Sequence, residues 1–208
     1  PSRPLLRDRN FVWLMSGGAL SILGDPFTVI AIPWLVLELT GDPVALGMSV
    51  ALMGLPRAIL ILFGGALVDR YAPKRVLMLT KHVNTALLAV LAILVYSGHA
   101  HLPVVLALAL GLSLASAFGI PAGTSMLPHA VAPQYLQAAN GMMMGLRQAA
   151  LLAGPLLAGL LFALAGDGSG GPRHMHGLAL AFGVDCLSFA VSAWTLAQVK
   201  PRPFTPPA

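Results

Sequence analysis

Four ionisable side chains lie in long apolar stretches of the chain: Asp25, Arg57, Arg147 and Asp185. A carboxylate away from water changes its proton affinity with neighbouring charge and hydration, which suits Asp25 to proton transfer. A guanidinium presents five donors in a fixed fork, so Arg147 suits an anionic or carboxylate-bearing ligand, and Arg57 suits pairing with a carboxylate. Each residue also has a plainer reading. Asp25 and Arg57 would equally serve as a permanent structural bridge. Arg147 would equally extend its stem along apolar surface to keep its head in water, and Asp185 is read as a packing or capping residue. Two short pairs, His99-x-His101 and His174-Met175-His176, combine imidazole and thioether groups of the kind that bind copper, zinc or nickel, with Asp167 near the second. Solvated loop histidines have the same pattern. The single Cys, Cys186, excludes an intrachain disulfide and a Cys-based zinc or iron–sulfur centre.

The elements that position these residues follow from composition. Of 208 residues, 57% are hydrophobic and 9% charged, whereas soluble domains carry roughly a quarter charged residues. The mean hydropathy is +0.83, so neither a soluble globule nor a disordered chain fits. Crossing a bilayer takes about 20 apolar residues as helix, and six stretches suffice: 11–37, 44–68, 76–97, 102–123, 137–165 and 177–199. The first is too long for a signal-peptide core and has no small-residue cleavage site after it, so it is read as a span. The connections carry the turn and charged residues. The sequence thus predicts an all-α membrane protein, a single six-transmembrane-helix bundle over 1–208. A charge at mid-membrane costs about 2.5–3.5 kcal/mol on insertion scales, so the four buried charges must face partners or a wet cavity. If the first hairpin turns near Gly41, Asp25 and Arg57 are equally far from the tip in sequence, and at 1.5 Å per residue both lie about 24 Å down, near the midplane.

The cations fix orientation. Arg3, Arg7 and Arg9 precede the first span, Arg70, Lys74, Arg75 and Lys81 are assigned to the second connection, and Lys200 and Arg202 follow the last span. All fall on one side, which the positive-inside rule makes cytoplasmic together with both termini. The opposite side has Arg173 beside Glu38, Asp42 and Asp167. The pI near 10.0 is accounted for by topology, and no nucleic-acid partner is expected. A faint three-against-three symmetry pairs Ile32-Pro33 with Ile120-Pro121 and the run Gly64-Gly65-Ala66-Leu67 with Ala158-Gly159-Leu160-Leu161. This fits two inverted three-helix repeats.

Between spans two and three the chain reads Gly65-Ala-Leu67-Val-Asp69-Arg70-Tyr-Ala-Pro-Lys74-Arg75-Val-Leu77. This resembles the signature loop of the major facilitator superfamily, with Ala72 and Pro73 departing from the usual Gly and basic residue. The resemblance implies that Gly65, Asp69, Arg70, Lys74 and Arg75 form a conformational latch that breaks when the transporter changes state. In span five, Ala150-Leu-Leu-Ala-Gly154-Pro155-Leu-Leu-Ala158-Gly159 resembles the family's antiporter motif, and Gly154, Pro155 and Gly159 would then bend or closely pack that helix; an ordinary Pro kink has the same residues. Leu127-Pro128 through Ala139-Asn140-Gly141 and Phe182 to Phe189 resemble the siderophore- and drug-exporting members. Span four has no charge where drug antiporters of this family commonly carry an Arg. The resemblance covers the amino-terminal half of a twelve-span transporter, and it places span six at the periphery of the bundle.

Enzyme readings are weaker. Gly123-Thr-Ser125-Met lacks the last residue of a rhomboid-type nucleophile motif, and neither H-E-x-x-H nor a phosphate loop occurs. A passive scaffold would leave the Asp69 loop and the buried charges without a purpose. The sequence is therefore expected to be half of a secondary transporter in the inner membrane, exporting small drug- or siderophore-like molecules in exchange for protons, with no cofactor. Its partners would be that substrate, protons, lipid and a second six-span half. A natural half-size protein acting as a homodimer, with a metal ion or chelate as cargo, is the alternative.

Overall fold

The computed structural model describes residues 7–70, 72–165 and 172–201, apart from the side chains of 61–70, 164–165 and 172–174. Six helices account for nearly all of it: α1 (Arg9–Thr40), α2 (Pro43–Arg70), α3 (Pro73–Tyr96), α4 (Leu102–Ala130), α5 (Leu136–Ala165) and α6 (Pro172–Gln198). All six are long and apolar enough to cross a membrane, so this is a multi-pass membrane protein.

Local chemistry sets the ends. The Asp8 carboxylate accepts from Asn10 N at 3.0 Å and caps α1, which stops at Gly41, where a φ of 65° and a hydrogen bond from its N–H to Leu37 O form a left-handed cap. Pro43 and Pro73 begin α2 and α3, at positions whose missing N–H costs a helix nothing. Inside the spans, Pro26, Pro33, Pro56, Pro121, Pro128 and Pro155 interrupt the hydrogen-bond ladder without ending any helix. Membrane helices tolerate this because neighbouring groups satisfy the freed carbonyls. α4 departs from the sequence expectation: it runs to Ala130, past the predicted end at 123, through Pro121 and Pro128. Its last turns bury Met126, Leu127 and Ala130 against Phe11, Leu77, Ala139 and Leu196, and that packing outweighs the Pro penalty.

The packing pattern carries the internal symmetry that short sequence matches only hinted at. α1 lies on α6 and α4 lies on α3; α2 lies on α4 and α5 lies on α1; α3 lies on α6. Exchanging α1, α2 and α3 for α4, α5 and α6 leaves this pattern unchanged. Because successive spans alternate in direction, the exchange relates two inverted three-helix repeats. Within this bundle α6 is packed between α1 and α3 and has the largest buried share of the six spans.

The apolar core is split into two layers. One joins Phe11, Leu14, Leu77, Met126 and Leu196 at the end bearing the termini. The other joins Ile32, Leu35, Leu88, Leu91, Val105 and Phe182 at the opposite end. Between them α1 contributes Ser21, Gly24, Asp25 and Thr28, α3 contributes Lys81 and Asn84, and α6 contributes Asp185, Ser188 and Ser192. This polar layer holds the candidate site midway along the helices.

Candidate substrate cavity

Small residues allow the layer to form. A side chain at Gly17 would collide with Thr195, and one at Gly24 would collide with Asp185 and Ser188, so the two glycines let α1 close on the hydroxyl-bearing face of α6. In the hollow beside Gly24 the Asp185 carboxylate accepts from Thr28 Oγ1 at 2.5 Å and from Ser188 Oγ at 3.1 Å. It is almost fully buried. Asp185 thus does pack the α1–α6 seam, and it also lines a cavity of about 240 Å³ together with Asp25, Arg57 and Asn84.

A larger cavity of about 500 Å³ opens beside it, walled by all six helices and lined by Asp25, Arg57, Arg147 and Pro155. The two share Asp25, Val29, Arg57, Asn84, Ser116 and Phe189. The structure therefore places Asp25, Arg57 and Arg147, from α1, α2 and α5, on one cavity. The Arg57 charge acts on Asp25, yet among the described residues no hydrogen bond or close ion pair joins them. Both reach the cavity by flanking a proline: Asp25 precedes Pro26 and Arg57 follows Pro56. Gly154 is placed by the same feature, since a Cβ there would run into the Pro26 ring. The Gly154-Pro155 pair thus seats α5 on the Pro26 bend of α1, next to Asp25. Among the described residues Gly159 has no neighbour within 4 Å of where its Cβ would stand.

Lys81 was assigned to the second connection; instead it sits two turns inside α3, is 8% exposed, and lines the larger cavity. Its ammonium donates to Ser21 Oγ at 3.1 Å and lies 5.3 Å from the centroid of the Phe189 ring. The Asp25 and Asp185 charges act on it. Asn84, one turn further along the same face, is 3% exposed, and among the described residues its Oδ1 has no hydrogen-bond partner; nor has the Oγ of Ser192, another cavity residue. Sequence reasoning missed Lys81 and Asn84, although the Lys81-x-x-Asn84 spacing eight residues past the Pro73 helix start signals two polar residues on one helix face, about 12 Å inside.

The remaining expectations are not gathered here. Lys74 Nζ donates to Val199 O at 2.6 Å and Ala197 O at 3.2 Å, capping the carboxyl end of α6. Nearby, Asn10 Nδ2 donates to Lys200 O and Lys200 N donates to Asn10 Oδ1, at 2.8 and 3.0 Å. These contacts tie α1, α3 and α6 together at the end bearing the termini. Arg75 is exposed in the first turn of α3. Gly65 lies in α2, and the side chains of Asp69 and Arg70 lie outside the described residues, as do Asp167, Arg202 and the side chains of Arg173 and His174. His99 Nδ1 is 3.2 Å from Ser97 Oγ, and the His176 ring lies 5.2 Å from that of Tyr96. Among the described residues no three metal-binding side chains come together.

Six membrane-spanning helices in two inverted repeats around a charged midplane cavity define half of an alternating-access transporter fold. The family model of the Major Facilitator Superfamily matches residues 14–208, and the chain belongs to that family. It is 32% identical over 177 residues to the multidrug efflux pump Tap of Mycobacterium tuberculosis and to that of Mycobacterium bovis, covering 82% of this chain and 41% of each pump. The chain thus spans about two-fifths of the length of these curated relatives. The crystal structure of a bacterial homologue of the iron transporter ferroportin, in an outward-facing state with soaked iron, superposes with a TM-score of 0.68 at 21% identity, covering 91% of this chain and 49% of that one. At that identity the likeness is one of fold.

Proposed function

We propose that the chain forms the substrate-binding half of a secondary transporter that exports small organic molecules across the inner membrane in exchange for protons, with both termini in the cytoplasm. The observation that carries this reading is the convergence of Asp25, Arg57 and Arg147 on one 500 Å³ cavity at the bundle's midplane. A carboxylate facing a cavity that water can enter binds and releases a proton as hydration and neighbouring charge change. If a substrate alters either, proton movement and substrate movement become linked, which is what antiport requires. The similarity to multidrug efflux pumps supports organic molecules as cargo. The mostly apolar wall, with Ile22, Val29, Ile30, Ile120 and Leu151 among its residues, suits their hydrophobic parts.

The cavity needs a second wall for alternating access, which we assign to a second six-helix bundle. The signature loop of Gly65, Asp69, Arg70, Lys74 and Arg75 would be released between states. The test is export of a fluorescent amphipathic dye from cells or proteoliposomes under an imposed proton gradient. Export should stop when the gradient is dissipated and in Asp25→Asn, whereas the variant should still bind dye. Full export by Asp25→Asn would overturn the coupling role, and gradient-independent export would overturn antiport.

A further inference from the structure

Lys81 is a buried cation held by few direct contacts. Among the described residues its ammonium makes one hydrogen bond, to Ser21, and no carboxylate oxygen comes within ion-pair distance of it. An ammonium has three donors, and a structural buried lysine normally uses them on carboxylates or carbonyls. Here the ammonium stands over the Phe189 ring, in the combined field of Asp25 and Asp185, on the wall of the cavity. An aromatic face with two carboxylates nearby is the environment that an organic ammonium seeks. The orphan Oδ1 of Asn84 adds an acceptor on the same wall once the carboxamide makes a half-turn, which its near-symmetric shape permits.

We propose that Lys81 is a tethered cation occupying an organic-cation site made by Asp25, Asp185 and Phe189, and that a cationic substrate binds by displacing its ε-ammonium. This rests on the reading of the cavity as the substrate site. Charge balance supplies the reason for displacement. Arg57 and Arg147 already face the cavity, so adding a substrate cation while Lys81 stays would place a fourth positive charge against Asp25 on its wall and Asp185 in the adjoining smaller cavity. Exchanging Lys81 for the substrate leaves the count unchanged. The four-carbon stem starts two turns from the helix end and can carry the ammonium toward that end, as long cationic side chains do in membranes. Lys81 then selects against weak cations, since a ligand must outbid an ammonium already in place.

Two ions of the same shape and opposite charge, tetraphenylphosphonium and tetraphenylborate, test this by equilibrium dialysis against the purified protein in lipid nanodiscs, with empty discs subtracted. Lys81→Met should bind the phosphonium about ten-fold more tightly and the borate more weakly, because one positive charge has left the site. Lys81→Arg should behave as the wild type. Unchanged or weaker phosphonium binding in Lys81→Met, or the same shift for both ions, would overturn the inference while leaving the cavity as the binding site. Binding of neither ion by any of the three proteins would overturn the substrate-site reading and the inference with it. A measurement on the unaltered protein stands apart from variant folding. Phosphonium should accelerate reductive methylation of Lys81 while leaving Lys74 unchanged, and protection of Lys81 would contradict displacement.

Discussion

Two carboxylates in one polar layer are given different tasks by their surroundings. Asp185 lines only the smaller cavity and accepts from Thr28 and Ser188, whereas Asp25 faces both cavities. Asp185→Ala should therefore lower stability by about 1–3 kcal/mol, since the two hydroxyls lose a buried acceptor. Thr28→Val should cost less, and the double variant should cost less than the sum because the two residues share one interaction; thermal unfolding in detergent measures all three, and strict additivity would contradict the shared bond. Asp25→Asn, by contrast, should leave the unfolding temperature nearly unchanged and act on export. Asp25, Arg57 and Arg147 were legible because a charge in an apolar run is conspicuous. Lys81 was not, because it lies close in sequence to the true connection cations Lys74 and Arg75, and a count of cations by proximity cannot separate a loop from the third turn of a helix. Which of these residues share a cavity is settled by helix rotation, on which charge and hydropathy are silent.

At the scale of helices, the number and order of spans were legible, since hydropathy over about 20 residues reports on the bilayer itself. Ends were less so. The extension of α4 to Ala130 comes from tertiary packing of Met126, Leu127 and Ala130, which overrides the local signal of Pro121 and Pro128. Two glycines of the antiporter-like motif look equivalent in sequence and differ in place. Gly154→Ala should push α5 off the Pro26 ring of α1, destabilise the bundle and reduce export, because a proline ring cannot swing aside; Gly159→Ala should be neutral in both unfolding and transport assays. Equal effects would mean that the α1–α5 contact does not constrain the cavity. Lys74→Met should loosen the carboxyl end of α6 by removing its donor to Ala197 O and Val199 O. Faster amide hydrogen exchange confined to the last turn of α6 and the adjoining Lys200 segment is the expected signature. An unchanged rate would show that water satisfies those carbonyls equally well.

At the scale of the whole molecule, the proposed second wall follows from what the cavity would otherwise face. α2 and α5 expose Leu55, Ile59, Leu151, Leu152 and Leu156, and those apolar side chains alone would be content in hydrocarbon. Arg57 and Arg147 belong to the same two helices and line the cavity. Hydrocarbon filling it would meet Asp25, Arg57 and Arg147 at an insertion cost of about 2.5–3.5 kcal/mol each, so a protein wall is the cheaper cover. A second six-helix bundle fits, either as another part of a longer polypeptide or as a second copy placed two-fold symmetrically. The relatives, of which this chain spans 41%, favour the first arrangement for them. Single cysteines at Leu55 and Leu156, which are 64% and 75% exposed, on a Cys186→Ser background, should crosslink to a second bundle with short bifunctional reagents in native membranes. The same positions should be shielded from lipid-soluble quenchers, while Leu79 and Leu187, exposed on α3 and α6, should be quenched. Quenching at Leu55 and Leu156 equal to that at Leu79 and Leu187, with no crosslink, would mean that lipid covers the face and that the buried charges are kept wet by water from one end of the bundle alone.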